Sequence, residues 1–218
     1  MNAADPHRGQ PVLVGGESLE TARAAMVLVH GRGATAESIL TLANEFRVPR
    51  VAYRVPQAAG NTWYPHPFLA PIERNEPWLS SALTALERIV SYVEQAGVPL
   101  ERTVLLGFSQ GACLALEYAA RHAWHYGGVI GLSGGLIGPD GTPRDYSGSL
   151  SGTPVFLGCG DPDPHIPTGR VRESADVLRQ LGGEVTMRLY PGLGHTVNQD
   201  EIDFVRNLLA GLTASGDT

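Results

Sequence analysis

The stretch TVLLGFSQGACLALEYAA, residues 103–120, gives the strongest indication of the fold. Its first four residues suit a buried β-strand, whereas residues 112–120 are apolar on nearly every side, as in a central α-helix. Strand and helix are joined directly by Gly-Phe-Ser-Gln-Gly, in which Gly107 and Gly111 allow the two backbones to approach closely. A serine on such a sharp strand-to-helix turn, here Ser109, is typical of a catalytic nucleophile.

Strand-like and helix-like segments also alternate along the rest of the chain. Helix patterns begin at Thr35 and Pro77, and Asn198 with Glu201 is spaced as a capping box for the last helix. The alternation predicts an α/β fold in which helices cover both faces of a mostly parallel central sheet. The predicted strands are residues 26–29, 51–55, 103–106, 128–132, 154–157 and 185–190, and two further helices are predicted at residues 168–181 and 199–212.

Length, charge and cysteine content restrict the class of protein. The 218 residues contain no repeat or linker, so we expect one domain over residues 1–218, with a core at about 12–212 and flexible ends at 1–10 and 213–218. Sixteen Lys and Arg against 22 Asp and Glu give a net charge of −6, which argues against a nucleic-acid partner. No apolar run approaches the ~20 residues of a membrane span, and the N-terminus has no apolar signal core. Two cysteines make no disulfide framework, so a cytoplasmic location is expected.

The pattern Gly-x-Ser-x-Gly occurs twice, and its surroundings distinguish the two serines. Ser109 follows an apolar strand and precedes an apolar helix. Ser133, within Gly-Leu-Ser-Gly-Gly at residues 131–135, is followed by further glycines and Pro139, which cannot begin a long helix. We therefore expect Ser109 to be the nucleophile and Ser133 to form a structural turn.

A serine hydroxyl needs a base that takes its proton, and the base needs a carboxylate that orients it. Among the downstream histidines, His122 and His125 lie at the end of the nucleophile helix, and His165 lies in an Asp-rich loop. His195 lies in a Gly-rich loop between the last strand and the last helix, at the sheet edge where the serine is expected. His195 is therefore the expected base.

The acid is expected in the loop GCGDPDPHIP, residues 158–167, which follows the strand at 154–157. Asp161 and Asp163 are both candidates, since either short carboxylate can hold an imidazole. The Asp-x-Asp-x-His run could also suggest a metal site. Its interleaved prolines oppose wrapping around a cation, and one short loop supplies too few ligands, so no metal is expected.

Together these motifs resemble the phospholipase/carboxylesterase family of α/β-hydrolases, which includes the acyl-protein thioesterases. The resemblance runs from about residue 26 to residue 212 and implies a compact α/β-hydrolase domain with no large lid domain and no cofactor. The family pattern Gly-x-x-Asp-x-x-Val-Pro aligns with residues 160–167, which implies that Asp163 is the acid and that Asp161 caps the loop. The other motifs are HGRG at residues 30–33, GFSQG at 107–111 and Gly-His at 194–195.

The resemblance also implies an oxyanion hole made by the backbone N–H groups of Arg32 and Gln110. Many relatives have an apolar residue where this chain has Arg32. We expect its guanidinium to be solvated or to pair with an acidic loop residue, and contact with an anionic substrate is the alternative. Trp63, Tyr64 and Phe68 follow a strand end, where they either wall the acyl pocket or merely cover the sheet edge.

The expected function is hydrolysis of small carboxylic esters, with short to medium acyl chains, through an acyl-enzyme on Ser109 assisted by His195 and Asp163. Lysophospholipase or acyl-protein thioesterase activity is the alternative within catalysis. A non-catalytic ligand-binding protein on the same fold is the alternative from another class. Dienelactone hydrolysis is disfavoured because its relatives carry a cysteine at the elbow, whereas Cys113 lies one turn into the helix. The choice between monomer and homodimer stays open.

Overall fold

A computed structural model describes residues 5–214 of the chain, leaving residues 1–4 and 215–218 undescribed, and its centre is a seven-stranded sheet. The strand order is β1-β3-β2-β4-β5-β6-β7, and every neighbouring pair is parallel except the antiparallel pair of β1 with β3. The strands are β1 Val12–Gly16, β2 Ala24–Val29, β3 Val51–Pro56, β4 Thr103–Phe108, β5 Gly128–Leu132, β6 Pro154–Gly160 and β7 Glu184–Tyr190.

Five α-helices cover the two faces of this sheet within the described residues. Helices α2, α3 and α4 share one apolar cluster with one face of the central strands, and α1 with α5 shares a second cluster with the other face. This arrangement confirms the predicted α/β fold. None of these helices is long and apolar enough to cross a membrane. The helices are α1 Ala36–Phe46, α2 Trp78–Gln95, α3 Gln110–Arg121, α4 Thr168–Gln180 and α5 Gln199–Ala214.

Strand β1 was not predicted, because it lacks a continuous apolar run. It lies at the edge of the sheet, where Val12 and Val14 are 41% and 67% exposed. A strand that is solvated on one side and ends in two glycines gives a weak sequence signal. Strands β4 and β6 also continue to Phe108 and Gly160, beyond their predicted ends at residues 106 and 157.

Residues near both limits of the described range, 5–214, pack more closely than the sequence suggested. His7, which lies outside the expected core, is buried, and its backbone N–H donates to the Ser81 hydroxyl at 2.9 Å. Its Nε2 lies 2.9 Å from the carbonyl oxygen of Trp63. At the other end, Thr213 and Ala214 belong to α5. The remaining parts of the expected flexible ends, residues 1–4 and 215–218, lie outside the described residues.

Helix α3 approaches the sheet so closely that only glycine fits at position 107, in β4, and at position 111, in α3. A Cβ on Gly107 would overlap the backbone of Gly111, and a Cβ on Gly111 would overlap the carbonyl oxygens of Val29 and His30. Every residue of α3 from Gln110 to Ala120 is buried, in agreement with the apolar pattern of its sequence. The β4–α3 turn is therefore held against the end of β2.

The predicted capping box begins α5. Asn198 Oδ1 accepts the N–H of Glu201 at 3.0 Å, and Glu201 Oε2 accepts the N–H of Asn198 at 2.8 Å. The Glu201 side chain lies against β6 at Gly158, and the residue is 1% exposed. Burial raises the pKa of its carboxyl to about 7.

The different surroundings of Gly111 and Gly211 predict that their replacement by alanine has opposite effects on the free energy of unfolding. Gly111→Ala should lower the free energy of unfolding by about 1–3 kcal/mol, because the new methyl group meets backbone atoms that cannot move independently. Gly211→Ala, in the interior of α5 with open space around it, should raise the free energy of unfolding by about 0.5–1 kcal/mol. Urea denaturation measures both. Equal stability of Gly111→Ala and the unmodified protein would contradict the close approach.

Candidate active site

Ser109 occupies the turn between β4 and α3 in a strained backbone conformation. Its φ of 57° and ψ of −120° are values that residues with a side chain rarely adopt. The Ser109 N–H donates to the carbonyl of Leu132 at 2.9 Å, and the Ser109 carbonyl accepts the N–H of Cys113 at 3.0 Å. These bonds on both sides of the residue hold the turn, which presents the hydroxyl beyond the end of the sheet.

The loops after β6 and β7 bring a carboxylate and an imidazole to this serine. His195 Nε2 lies 2.8 Å from Ser109 Oγ, and His195 Nδ1 lies 2.7 Å from Asp163 Oδ2. The imidazole ring also contacts Phe108, with ring centroids 4.9 Å apart, and His165, in a T-shaped arrangement with centroids 4.8 Å apart. Three residues separated by tens of positions in the chain thus form one hydrogen-bonded series.

The surroundings of Asp163 favour the ionised carboxylate. Burial by itself raises the pKa of this carboxyl, but the hydrogen bonds that it accepts outweigh burial and keep the pKa below its usual value. Oδ2 accepts from His195, and Oδ1 accepts the N–H groups of His165 at 2.8 Å and Ile166 at 3.1 Å. A fixed, ionised carboxylate can hold the neutral imidazole in one tautomer and stabilise the imidazolium.

The structure also separates the two aspartates that the sequence chemistry left open. Asp161 is exposed, and its Oδ1 accepts the N–H of Gly192 at 2.8 Å. It therefore ties the loop after β6 to the Gly-rich loop that carries His195, and Asp163 is the aspartate that contacts the imidazole. Because the two carboxylates have different partners, the Asp-x-Asp-x-His run does not converge on a cation. Within residues 5–214 no group of three or more potential metal ligands is present.

The remaining serine and histidine candidates lie elsewhere or play other parts. Ser133 has a positive φ of 53° like Ser109, but it is fully buried. His122 stacks on Tyr118 with ring centroids 4.5 Å apart, and His125 is exposed at the surface. His165 is the exception, since it contacts His195 and lines the cavity described below.

The two predicted oxyanion donors flank the serine. A Cβ on Gly31 would lie 3.4 Å from the Cβ of Ser109, so the loop that contains Arg32 packs against the nucleophile turn. Gln110 is the first residue of α3, where an N–H has no partner within the helix. Among the hydrogen bonds of residues 5–214, none is donated by the backbone N–H of Arg32 or of Gln110. Both amides are available to a ligand.

A cavity of about 550 Å³ opens at Ser109. Tyr64 and Phe68 line it, as expected for a pocket wall. Trp63 does not: it is fully buried behind the wall, and its indole N–H donates to the carbonyl of His30 at 2.9 Å. The residues that line the cavity are Arg32, Tyr64, Pro65, Pro67, Phe68, Ser109, Gln110, Cys113, His165, Ile166 and His195.

Gln110 has a structural task that the sequence did not reveal. Its side-chain Oε1 accepts the N–H of Trp63 at 2.9 Å, and its Nε2 donates to the carbonyl of Tyr64 at 2.8 Å. Gln110 therefore offers its free backbone N–H to the site, and its side-chain amide fixes the pocket wall. A buried glutamine is the type of residue that needs such partners, but its sequence position does not identify them.

The guanidinium of Arg32 has partners that differ from the expected ones. Nη1 donates to the carbonyl of Pro65 at 2.9 Å, and Nη2 donates to the carbonyl of His66 at 2.8 Å. Arg32 is exposed, which agrees with the expectation of a solvated arginine, but among the described residues it pairs with two backbone carbonyls and with no acidic side chain. The guanidinium carbon also lies 5.9 Å from the centroid of the Tyr64 ring.

Cys159 is a further neighbour of the site that sequence analysis missed. Its buried thiol lies 3.7 Å from Asp163 Oδ2 and is placed to donate a weak hydrogen bond. Burial and the negative charge of Asp163 raise the pKa of the thiol to about 12, so it stays protonated at neutral pH. Its position at the end of β6, four residues before Asp163, was the available signal.

Comparison with known proteins gives relatives over most of the chain. The sequence profile of the phospholipase/carboxylesterase family matches residues 16–212. A crystal structure of a phospholipase/carboxylesterase from Dyadobacter fermentans is 42% identical and superposes with a TM-score of 0.90. That match covers 95% of this chain and 99% of the other.

Two fungal proteins are more distant relatives. Acyl-protein thioesterase 1 of Gibberella zeae is 35% identical over 119 residues, which cover 52% of this chain and 49% of that protein. In that alignment the chain spans about half the length of its relative. Acyl-protein thioesterase 1 of Yarrowia lipolytica is 27% identical over 205 residues, or 85% of this chain and 90% of that protein.

The different partners of the two aspartates predict different effects on the reactivity of Ser109. Asp163→Asn should slow labelling of Ser109 by a fluorophosphonate probe by about 10³- to 10⁴-fold, because the amide no longer holds the imidazole in the required tautomer. Asp161→Asn is the matched control: its side-chain oxygen still accepts the Gly192 N–H, so labelling should change little. Labelling rates followed by mass spectrometry test the pair, and equal losses in both variants would argue against Asp163 as the acid.

Proposed function

This chain belongs to the phospholipase/carboxylesterase family of α/β-hydrolases, and we propose that it hydrolyses carboxylic esters through an acyl-enzyme formed on Ser109. The observation that carries the proposal is the series from Ser109 through His195 to Asp163, with distances of 2.8 and 2.7 Å. This arrangement suits nucleophilic catalysis, because each group activates or orients the one before it. No cofactor takes part in the proposed reaction.

In the proposed acylation step, Ser109 Oγ attacks the ester carbonyl while His195 Nε2 takes its proton. The tetrahedral intermediate collapses when His195 returns that proton to the leaving alcohol, and the acyl group remains on Ser109. Asp163 accepts the Nδ1–H throughout and stabilises the imidazolium. Water activated by His195 then attacks the acyl-enzyme, and the carboxylic acid leaves.

The negative charge on the carbonyl oxygen is proposed to be stabilised by the N–H groups of Arg32 and Gln110. The absence of competing acceptors within residues 5–214 supports this role. The Gln110 N–H also lies at the N-terminus of α3, where the helix dipole favours negative charge. One such preorganised donor contributes about 10²- to 10³-fold to the rate in related chemistry.

The buried inner wall of the cavity supports acyl chains of short to medium length. The cavity volume of about 550 Å³ is in the lower part of the range for small-molecule sites. Tyr64 and Cys113 are at most 1% exposed, so they close the inner side, and Phe68 adds a third rigid wall. The proposed substrates are therefore small esters.

The proposed location is the cytoplasm, because the two cysteines are free and buried.

Acyl-protein thioesterase activity is the second candidate, favoured by the relatives from Gibberella zeae and Yarrowia lipolytica that carry this name. The same acyl-enzyme chemistry serves esters and thioesters, so substrate length distinguishes the candidates. Turnover of palmitoyl-CoA or lysophosphatidylcholine with a kcat/KM above that of butyryl esters would favour the thioesterase or lysophospholipase. Failure of Ser109 to react with a fluorophosphonate would favour a non-catalytic binding protein.

The two Gly-x-Ser-x-Gly turns supply a matched pair of variants. Ser109→Ala should lower kcat for p-nitrophenyl butyrate by at least about 10⁴-fold, because no acyl-enzyme can form. Ser133→Ala alters a buried serine that also has a positive φ, and it should leave kcat within the range of the unmodified enzyme. Steady-state hydrolysis, followed by the absorbance of the released p-nitrophenolate, gives kcat for both variants. Full activity of the Ser109→Ala variant would contradict the proposed acyl-enzyme on Ser109.

The closed inner wall predicts a limit on acyl length. In a series of p-nitrophenyl esters, kcat/KM should be highest between butyryl and octanoyl and should fall for lauroyl and palmitoyl, because a longer chain meets the inner wall formed by Tyr64 and Cys113. Measurements below the aggregation concentration of each ester avoid micelle artefacts. A kcat/KM that rises steadily up to palmitoyl would contradict the assigned pocket.

A further inference from the structure

The guanidinium of Arg32 is a positive charge held in place at the wall of the cavity that contains Ser109. The carbonyls of Pro65 and His66 accept one N–H each, at 2.9 and 2.8 Å, and the Tyr64 ring lies beneath the guanidinium. An arginine has five N–H donors, of which these bonds use two. Donors therefore remain on a side chain whose position is already fixed.

No carboxylate compensates this charge. In the part of the chain that the structure describes, Arg32 takes part in no ion pair. Other arginines of the described chain do pair, such as Arg121 with Glu117 at 2.7 Å and Arg170 with Asp140 at 2.8 Å. What distinguishes Arg32 from other described arginines without an ion pair, such as Arg50, is its place in the lining of the cavity.

The rest of the cavity wall is also free of negative charge. None of the described residues that line it is an aspartate or a glutamate. The nearby Asp163 has a fully buried side chain, and its oxygens are occupied by His195 and two backbone N–H groups. An anionic group in this cavity meets hydrogen-bond donors and one fixed cation, and it meets no exposed carboxylate.

We propose that Arg32 binds a carboxylate or phosphate group of the substrate, so that the enzyme prefers anionic esters to neutral ones; this inference rests on the proposed ester hydrolysis at Ser109. A guanidinium matches the geometry of both anions. Because the loop carbonyls already hold the side chain, binding costs little further conformational entropy. The anion can be carried by the acyl part or by the leaving group, and both place the same chemistry in the cavity.

Matched pairs of substrates test the proposal and distinguish the two sources. For the acyl part, mono-p-nitrophenyl adipate is compared with p-nitrophenyl hexanoate. For the leaving group, the butyryl ester of 4-hydroxybenzoate is compared with that of 4-methylphenol. The readout is the ratio of kcat/KM for the anionic and the neutral member of each pair, measured in the unmodified enzyme and in R32Q, R32K and R50Q. Arg50 lies at the opposite end of the sheet, before β3, and controls for the loss of one positive charge.

In at least one pair, R32Q should lower the ratio about tenfold or more, R32K should restore part of it, and R50Q should leave it unchanged. Added salt should lower the ratio in the unmodified enzyme. The ratio cancels any common loss caused by loosening of the loop, and thermal melting checks that each variant is folded. Ratios in both pairs that do not respond to residue 32 would overturn the proposal while leaving Ser109-dependent hydrolysis intact. Hydrolysis that persists in Ser109→Ala would instead defeat the proposed function itself.

Discussion

The contact between the backbone of α3 and the end of β2 is the constraint on which the site depends. Gly111 lies directly against the carbonyl oxygens of Val29 and His30, and this approach leaves no room for a side chain. Because the helix begins so close to the sheet, the residue before it, Ser109, takes a left-handed backbone conformation. The strain at Ser109 follows from this contact, and the N–H of Gln110 is free because Gln110 begins the helix. The carboxyl ends of the parallel strands then bring the loops of Asp163 and His195 to the same edge.

Most of the fold could be predicted because its central strands are buried on both faces. Such strands are short runs of apolar residues, and β2, β4 and β5 carry that signal without interruption. Strand β1 carries no such signal, since one of its sides faces solvent and its pairing with β3 is a tertiary contact. The burial of His7 could not be foreseen for the same reason: its partners are 56 and 74 residues away in the chain.

The site was predictable where chemistry restricts the residue type and unpredictable where it depends on the path of a loop. Residues 109 and 195 follow from their positions at strand ends, whereas the choice of Asp163 over Asp161 came from family resemblance and required a loop conformation to support it. Trp63 and Tyr64 are neighbours in sequence and are both fully buried in the same core cluster, but Tyr64 lines the cavity and Trp63 does not. The partners of Arg32 are backbone carbonyls, which every residue possesses and which no sequence pattern marks.

The buried carboxyl of Glu201 makes the stability of the fold depend on the pH of the solution. Its pKa of about 7 in the folded chain lies above the ordinary value of 4.5, so between these values the native state binds a proton that the unfolded chain has released. Folding therefore takes up a proton from solution. As the pH rises through this interval, the contribution of Glu201 lowers the free energy of unfolding. Although the capping box has favourable local geometry, its buried carboxyl is ionised above about pH 7. The start of α5 is therefore less stable in alkaline solution than in acidic solution.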